Sequence, residues 1–281
     1  MFKIKPYKIH FTESLSPIYD KDETENFFFL ILEHLKGISR VNLALNPDLE
    51  FSQEEIQKME LYLTELKNQK PIQYLLGVTG FYGLEFQVNP NVLIPRSETE
   101  ELVDWIIREN KAKTDLKILD IGTGSGCIAI SLAKNLKAEV FAFDISGDAL
   151  QTAQINSDKN QTFVHFIEFD ILNDVWEGEK FDIIVSNPPY VRELEKDEIN
   201  PNVLENEPHL ALFVSDKNSL IFYEKITDFA KEHLSENGQL FFEINQYLGQ
   251  ETAAIPQQKG FATTILKKDI YGNDRMILAY F

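Results

Sequence analysis

The feature that most constrains the fold is a strand that runs into a glycine-rich turn and then into a helix. It extends from Lys117 to Gly126, with Asp120 near the end of the strand and further glycines at positions 122 and 124. Glycines let the backbone approach a ligand closely and offer N–H groups where the helix begins. A dinucleotide fingerprint would need glycine at position 127, where this chain has Cys127. The spacing therefore excludes a dehydrogenase-type site.

Strands and helices alternate beyond Asp115, which predicts a wound, mostly parallel α/β sheet. The expected strands are 117–121, 139–143, 164–168, 181–185, 238–244, 261–267 and 274–281, and the expected helices are 126–136, 147–157 and 219–236. The connection from Asp269 to Asp274 contains Gly272-Asn273 and is typical of a hairpin. We therefore expect the last strand to enter the sheet antiparallel.

Residues 1 to about 75 predict helices and lack strand alternation. A dense apolar block at 27–32 is closed by Gly37, and a second helix, Ser52 to Lys67, opens with the capping-box spacing of Ser52 and Glu55. A small helical bundle fits this pattern. It is interpreted either as a structural cap or as a docking module for a macromolecular substrate, with docking favoured.

From Gly80 the apolar period changes to two. Approximate alternation from Phe81 to Val88, a turn at 89–91 and an apolar return at 92–94 predict a β-hairpin. Ser97 and Glu100 then have capping-box spacing at the start of a helix. The expected organisation is a helical docking domain at 1–78, a hairpin linker at 79–96 and a catalytic domain at 97–281.

The tetrapeptide Asn187-Pro188-Pro189-Tyr190 breaks the buried strand that precedes it. In open α/β sheets, ligands bind past the carboxyl ends of strands. Two prolines fix φ and remove two donors, so the loop offers carbonyl oxygens in set directions, one amide and one aromatic ring. The loop is therefore rich in hydrogen-bond acceptors and suited to bind a planar NH2 group. The alternative is a strand end stopped by proline.

Two further aspartates follow the next two strands, Asp144 and Asp170. Each alone is most often a helix cap or a solvated turn. Together with the turn after the first strand, they place three polar features at the carboxyl ends of successive strands. The sequence therefore predicts a cofactor site at that edge.

The pattern D-x-G-x-G-x-G at 120–126 resembles the first motif of class I S-adenosylmethionine-dependent methyltransferases. With Asn187-Pro188-Pro189-Tyr190, nearly the whole chain resembles the peptide chain release factor N5-glutamine methyltransferase family. Further marks of the family are 71–77, 93–100, Glu207-Pro208, Ala211-Leu212, Glu243-Ile244, Asp269, Gly272, Asp274 and Arg275. The chain departs from the family at 213–219, which replaces a glycine-rich turn, and at Ser97, Ile171 and Asn245.

The resemblance implies a Rossmann-like class I sheet and methyl transfer from S-adenosylmethionine to the side-chain nitrogen of a glutamine in a Gly-Gly-Gln loop of a release factor. The implied catalytic residues are Asn187 and Pro188, whose oxygens would accept the two amide hydrogens; Pro189 and Tyr190 complete the substrate site. Tyr190 either packs against the substrate or anchors the loop, and no catalytic base is assigned. The cofactor-binding residues implied are Asp120, Gly122, Thr123, Gly124, Ser125, Gly126, Asp144 at the ribose, Asp170 at the adenine amino group, Ile171 and Asn187.

The formal charge of −18, from 45 acidic and 27 basic residues, argues against a uniformly basic nucleic-acid footprint. The single cysteine fits a reducing compartment, and no apolar run approaches the roughly 20 residues that span a bilayer. We therefore expect a cytoplasmic monomer with no stable nucleic-acid or membrane partner. The five histidines show no metal-ligand spacing, so no metal is expected.

Two alternatives remain open. The tetrapeptide also occurs in adenine-N6 DNA methyltransferases and some RNA methyltransferases, where the base would be flipped from the stack. The other alternative is a docking module without catalysis that binds the cofactor structurally.

Overall fold

The structure, a computed structural model, describes residues 2–281 and all of their side chains except that of Glu198. The chain divides into two compact units. The first runs up to Gly77 and includes the later segment Pro201–Asn206; the second comprises Val78–Asn200 and Glu207–Phe281. No helix among residues 2–281 is both long enough and apolar enough to cross a bilayer.

The first unit is mainly helical. Its elements are β1 (Phe2–Lys3), α1 (Ile4–Leu15), α2 (Lys21–Lys36), α3 (Arg40–Leu45), β2 (Glu50–Phe51), α4 (Gln53–Lys67), α5 (Ile72–Leu76) and, from later in the chain, α9 (Pro201–Asn206). Its core joins side chains of α1, α2 and α4, among them Phe11, Phe28, Ile31 and Leu63, with Phe51 of β2. The expectation of helices before residue 75 is confirmed.

The caps of α2 and α4 follow the sequence. Gly37 ends α2 with a positive φ of 65°, a conformation that glycine adopts without strain. At α4 the Glu55 backbone N–H donates to Ser52 Oγ at 3.2 Å, and the Ser52 N–H donates to Glu55 Oε2 at 2.7 Å. The capping box expected at Ser52 is confirmed.

The second unit contains the remaining elements. They are β3 (Val78–Phe81), β4 (Leu84–Gln87), α6 (Ser97–Asn110), β5 (Leu116–Ile121), α7 (Cys127–Asn135), β6 (Ala138–Asp144), α8 (Gly147–Lys159), β7 (His165–Glu168), β8 (Phe181–Ser186), β9 (Val191–Arg192), α10 (His209–Leu212), β10 (Phe213–Val214), α11 (Ile221–His233), β11 (Leu234–Glu243), α12 (Gly249–Gln258), β12 (Thr263–Lys268) and β13 (Asp274–Tyr280). Short 3-10 turns lie at Glu193–Glu198, Asp216–Asn218 and Gln246–Leu248.

Seven of these strands form one sheet in the order β12-β13-β11-β8-β5-β6-β7. The pairs from β11 through β7 are parallel, and β13 is antiparallel to both of its neighbours. The expected mostly parallel sheet with an antiparallel last strand is confirmed. Apolar side chains alternate between two cores: Ile118 packs with α6 and α7, and Leu119 packs with α11 and α12.

The register of the sheet aligns the ends of its central strands. Ile121 pairs with Phe143 on one side and with Ser186 on the other, and Ser186 also pairs with Phe242. The chain order reverses between β5 and β8, which makes this the switch point where ligands bind in open α/β sheets. The residues that follow these strands therefore gather at one edge.

The hairpin exists, but its arms differ from those expected. Val78–Phe81 pairs with Leu84–Gln87 around a turn at Tyr82 and Gly83, whose φ values are 48° and 73°. Two positive φ values in succession give a turn that matches strand twist. The chain forms no strand at 92–94, and 89–91 is a separate turn in which the Val92 N–H donates to Asn89 O.

The capping box expected at Ser97 is wrong. Arg96 occupies the cap position of α6, with no side-chain hydrogen bond, and Ser97 is already helical. Glu100 instead accepts the Tyr82 N–H at 2.7 Å through Oε1. The Glu100 carboxylate thus bonds to the hairpin turn and does not form a capping box with Ser97.

This difference predicts unequal effects of two serine-to-alanine changes. Ser52→Ala removes a working cap, so the α4 amides should open about 1 kcal/mol more readily and exchange hydrogen about fivefold faster. Ser97→Ala should leave exchange in α6 within about twofold of the parent protein, because surface changes of this kind usually stay within ±0.5 kcal/mol. Hydrogen exchange followed by mass spectrometry measures both; equal effects would contradict the assigned caps.

Candidate active site

The glycine-rich turn after β5 is held by backbone hydrogen bonds. The N–H groups of Gly122 and Thr123 both donate to Phe143 O, at 2.8 and 3.0 Å, and the Gly126 N–H donates to Thr123 O at 2.8 Å. Gly122, Gly124 and Gly126 all have positive φ, at 75°, 54° and 81°. The turn therefore needs its glycines for conformation as well as for access.

Gly126 is also a point of close packing. A β-carbon there would lie 2.8 Å from Ile130 Cδ1 and 3.1 Å from Ala153 Cβ. Beside it, the buried Asn156 donates from Nδ2 to Ser125 O at 2.9 Å and to Gln87 O at 3.0 Å. Asn156 Oδ1 accepts the Gln87 N–H at 2.6 Å. One side chain on α8 thus ties the hairpin to the glycine-rich turn.

Asp120 is fully buried at the end of β5. Its Oδ2 accepts a hydrogen bond from Thr123 Oγ1 at 2.6 Å, whereas Oδ1 has no hydrogen-bond partner among the described residues. Burial raises the pKa of Asp120 to about 7, against the lowering effects of the Thr123 bond and of the Ala129 backbone N–H. A buried carboxyl with one free oxygen fits a ligand that brings a positive charge or a donor, as S-adenosylmethionine does.

Asp144, at the end of β6, supports the same turn. Its Oδ2 accepts the Gly124 N–H at 2.8 Å, and its Oδ1 accepts the Ser146 N–H at 2.9 Å. Burial raises the pKa of Asp144, and the two N–H bonds act against that rise. Each oxygen keeps a second lone pair, so the carboxylate can still accept hydroxyl groups of a ribose.

Asp170 and Ile171 lie in the turn after β7. Asp170 accepts the Leu172 N–H at 2.9 Å through Oδ1 and Asn173 Nδ2 at 2.7 Å through Oδ2. Ile171 is partly buried against the aromatic-rich core under α11 and α12. Asp170 therefore shapes this turn, and its contact with adenine stays a prediction.

The Asn187-Pro188-Pro189-Tyr190 loop follows β8 and is attached to the protein at both ends. Asn187 Nδ2 donates to Thr99 Oγ1 at 3.3 Å, and the Thr99 hydroxyl donates to Glu243 Oε2 at 2.6 Å. The Tyr190 hydroxyl donates to Glu243 Oε1 at 3.2 Å, and Asn245 Nδ2 donates to Tyr190 O at 3.0 Å. The phenol of Tyr190 is therefore a loop anchor.

Sequence analysis did not predict that Thr99 and Glu243 support the Asn187–Tyr190 loop. Glu243 is 1% exposed at the end of β11; burial raises the pKa of its carboxyl, while the Thr99 bond and Arg275 act to lower it. Arg275 itself is fixed by Asp269, 3.2 Å from its Nε. Both Thr99 and Glu243 fall in stretches that carry the family resemblance, and that was the available signal.

Burial also raises the pKa of Tyr190, and the neighbouring Glu243 raises it further. The phenol therefore stays neutral near pH 7. It can donate a hydrogen bond to Glu243 but cannot serve as a base.

Glu207 is buried and forms an ion pair with the partly exposed Arg96. Its side chain accepts Arg96 Nη2 at 2.5 Å and the Ile94 N–H at 3.1 Å. Only 3% of Glu207 is exposed. This pair fixes the chain at 94–96, just before α6 delivers Thr99.

The atypical 213–219 segment pairs with the chain that follows the loop. Phe213 and Val214 form parallel bridges to Val191 and Arg192. The Leu194 N–H donates to Asp216 Oδ1 at 3.1 Å. The segment therefore starts with a short strand that pairs with the chain immediately after Tyr190.

Gly126→Ala should destabilise the second unit more than Gly260→Ala does. Both glycines have positive φ, at 81° and 97°, but only Gly126 would place a β-carbon against neighbours. We expect a loss of about 1–2 kcal/mol at 260 from backbone strain alone and of about 2–4 kcal/mol at 126, where overpacking adds to it. Urea unfolding followed by the fluorescence of the two tryptophans, both in this unit, measures the difference. Equal midpoints would contradict the packing described for Gly126.

Two family models match separate parts of the chain. Residues 10–77 match the PrmC N-terminal domain and residues 102–212 match the methyltransferase small domain. A methyltransferase from Pyrococcus furiosus superposes with a TM-score of 0.53 at 18% identity, covering 79% of this chain and 98% of that one. The T. thermophilus 16S rRNA N2 G1207 methyltransferase, solved with AdoMet and guanosine, gives 0.54 at 19% identity, covering 72% and 49%. At such identities the likeness concerns the fold alone.

Two curated relatives are much more similar. A release factor glutamine methyltransferase from Flavobacterium psychrophilum is 58% identical over 99% of both chains. One from Bacteroides thetaiotaomicron is 43% identical over 95% of this chain and 96% of its own. The chain belongs to the release factor glutamine methyltransferase family.

Proposed function

We propose that this protein transfers a methyl group from S-adenosylmethionine to the side-chain amide nitrogen of the glutamine in the Gly-Gly-Gln loop of a peptide chain release factor. The observation that carries the proposal is the Asn187 loop beside the glycine-rich turn, with Asn187 Nδ2 already committed to Thr99. Membership of the family supports the choice of substrate.

The loop suits a primary amide. An amide nitrogen is a poor nucleophile because its lone pair is delocalised into the carbonyl. Since Asn187 Nδ2 donates to Thr99, its Oδ1 is the atom left to accept one amide hydrogen. Pro188 O accepts the other. Such positioning can lower the barrier by several kcal/mol, with about 7–11 kcal/mol as the upper range for well-oriented reactants.

When bound, S-adenosylmethionine supplies a methyl group activated on a sulfonium. Asn187 and Pro188 hold the glutamine nitrogen by both of its hydrogens, which fixes the direction of its lone pair. The nitrogen becomes acidic once it is methylated and loses one proton to water. No residue is therefore assigned as a base, which agrees with the raised pKa of Tyr190.

The cofactor is held, in this proposal, by the turn from Gly122 to Gly126 and by the carboxylates around it. Asp120 Oδ1 has no hydrogen-bond partner within the part of the chain that the structure describes, and Asp144 keeps lone pairs for the ribose. Asp170 and Ile171 border the adenine, with Asn187 at the methyl-bearing end. Among the side chains that the structure describes, no group of His, Cys, Asp and Glu has the arrangement of a metal site.

The release factor is proposed as a transient partner in the cytoplasm, where translation ends, and the enzyme as a monomer. A nucleic-acid amine is the alternative acceptor. The net charge of −18 disfavours it, because like charges repel a polyanion.

Incubation of the protein with S-adenosylmethionine and a release factor should add one methyl group to the loop glutamine, detected by peptide mass spectrometry. Asn187→Ala should lower turnover by at least about 100-fold, because the reacting nitrogen loses its orientation, while cofactor binding persists. Asn135→Ala is the matched control, since among the described residues that side chain bonds to Ser131 O, within α7.

Wild-type turnover on DNA or RNA, with none on the release factor, would overturn the proposed substrate. Turnover of Asn187→Ala near that of the parent protein would overturn the role of Asn187.

Asp120 should make cofactor binding depend on pH. A cationic ligand favours the ionised carboxylate, so binding releases a proton wherever free Asp120 is protonated. With a pKa of about 7 in the free protein, affinity should rise roughly tenfold between pH 6 and pH 8. Asp120→Asn should remove that part of the rise. Calorimetry in buffers of different ionisation enthalpy measures the protons released, and the difference between the two proteins cancels the cofactor's own titration. Identical proton release would contradict the assignment.

A further inference from the structure

Glu243 is placed to control the catalytic loop without touching a substrate. Its carboxylate accepts the Thr99 hydroxyl at 2.6 Å and the Tyr190 hydroxyl at 3.2 Å, one on each oxygen. Thr99 is 2% exposed and Glu243 is 1% exposed, so neither bond competes with bulk water. The carboxylate bonds directly to Tyr190 and, through Thr99, to Asn187, so it can hold both ends of the loop.

The direction of hydrogen bonding follows from the number of hydrogens. Glu243 Oε2 accepts the Thr99 hydroxyl, so the single hydroxyl hydrogen of Thr99 is spent on that bond. Thr99 Oγ1 can then only accept from Asn187. The amide of Asn187 must therefore turn its Nδ2 toward Thr99, as the 3.3 Å contact shows.

The orientation matters because an asparagine amide has two ends of similar shape and opposite hydrogen-bonding character. With Nδ2 facing Thr99, Oδ1 is the end left for the substrate. If Thr99 were free to donate to Asn187 instead, the amide could rotate and present NH2 to the NH2 of a glutamine. Two donors facing each other make no hydrogen bond.

We propose that Glu243 and Thr99 are positioning residues that set the orientation of the Asn187 amide, so that Oδ1 faces the substrate nitrogen. This inference rests on the proposed function. Glu243 accepts the Thr99 hydroxyl hydrogen, and Thr99 Oγ1 can then only accept from Asn187. Tyr190 bonds the far end of the loop to the same carboxylate.

The surroundings of Glu243 favour such a fixed carboxylate. The Tyr223 hydroxyl donates to Glu243 O at 3.2 Å and so anchors the backbone of the residue. Arg275 supplies nearby positive charge and is held by Asp269. The carboxylate is therefore fixed through its backbone, its side chain and its electrostatic environment.

The test compares Thr99→Val with Thr99→Ser. Valine keeps the shape and removes the hydroxyl, so kcat for release factor methylation should fall roughly 10- to 100-fold. Serine keeps the hydroxyl and should restore kcat to within about threefold, although it leaves a small cavity. Cofactor affinity should change by less than about twofold in both, because neither change touches the glycine-rich turn.

Thr252→Val is the matched control for burial. Thr252 is as buried as Thr99, but it lies on α12 and its hydroxyl donates to Leu248 O at 2.7 Å. The control variant should keep the kcat of the parent protein. A serine variant as slow as the valine variant, or a valine variant as fast as the parent, would overturn the proposal.

Glu243→Gln tests whether the Glu243 carboxylate sets the direction of the Thr99 hydrogen bond. A glutamine amide can offer its NH2 to Thr99, which then has its hydrogen free for Asn187. Its kcat should fall as far as that of Thr99→Val, and the double variant should be no slower than either single one. Additive losses would show that the two residues act separately and would contradict the proposal.

A readout without turnover separates this proposal from the proposed function. In protein labelled with ¹⁵N asparagine, the Asn187 side-chain N–H groups should exchange with solvent faster in Thr99→Val and Glu243→Gln than in the parent and in Thr99→Ser. Absence of methylation by the parent protein would refute the proposed function alone. Unchanged exchange in the valine variant would refute the positioning role whatever the substrate is.

Discussion

The alignment of parallel strands is the constraint on which the site depends. Because β5, β6, β8 and β11 run in one direction and in register, the residues after them meet at one edge. Glycine-rich backbone, carboxylates and the acceptor loop reach that edge from distant parts of the chain. The antiparallel β13 adds to it, since its hairpin with β12 returns Asp269 and Arg275 to the same edge.

Three of the carboxyl groups at this edge, the buried Asp120 and Glu243 and the partly buried Asp144, have different partners. Asp144 is satisfied by backbone N–H groups, Glu243 by hydroxyls, and Asp120 only in part. Burying a carboxyl costs free energy unless hydrogen bonds or charges compensate. We therefore propose Glu243 as a structural support of the loop, Asp144 as a support of the turn that can still bind the ribose, and Asp120, which has one oxygen free, as the partner of the charged cofactor.

Local chemistry made the individual loops predictable. Glycine spacing at 122–126 and the prolines at 188 and 189 constrain the backbone by themselves, and the strand pattern placed them on one edge. The bond between Thr99 and Glu243 could not be derived, because 144 positions separate them and only the packing of α6 on the sheet joins them. The prediction of a cap at Ser97 was wrong for a similar reason. The Glu100 carboxylate accepts the N–H of Tyr82, in the hairpin turn 18 positions earlier, and does not bond to the start of its own helix. Helix α12 was not among the expected helices. It contains Pro256, and a proline usually argues against a helix interior.

In the proposed complex, the Asn187 amide presents its oxygen, and Pro188 its carbonyl, to the two hydrogens of a glutamine amide. A crystal structure of the protein with S-adenosylhomocysteine and a Gly-Gly-Gln peptide tests it most directly. We expect Asn187 Oδ1 and Pro188 O at about 2.9–3.0 Å from the glutamine nitrogen, with Asn187 Nδ2 still bonded to Thr99. A glutamine amide bound elsewhere, or an Asn187 released from Thr99 and turned away, would contradict it.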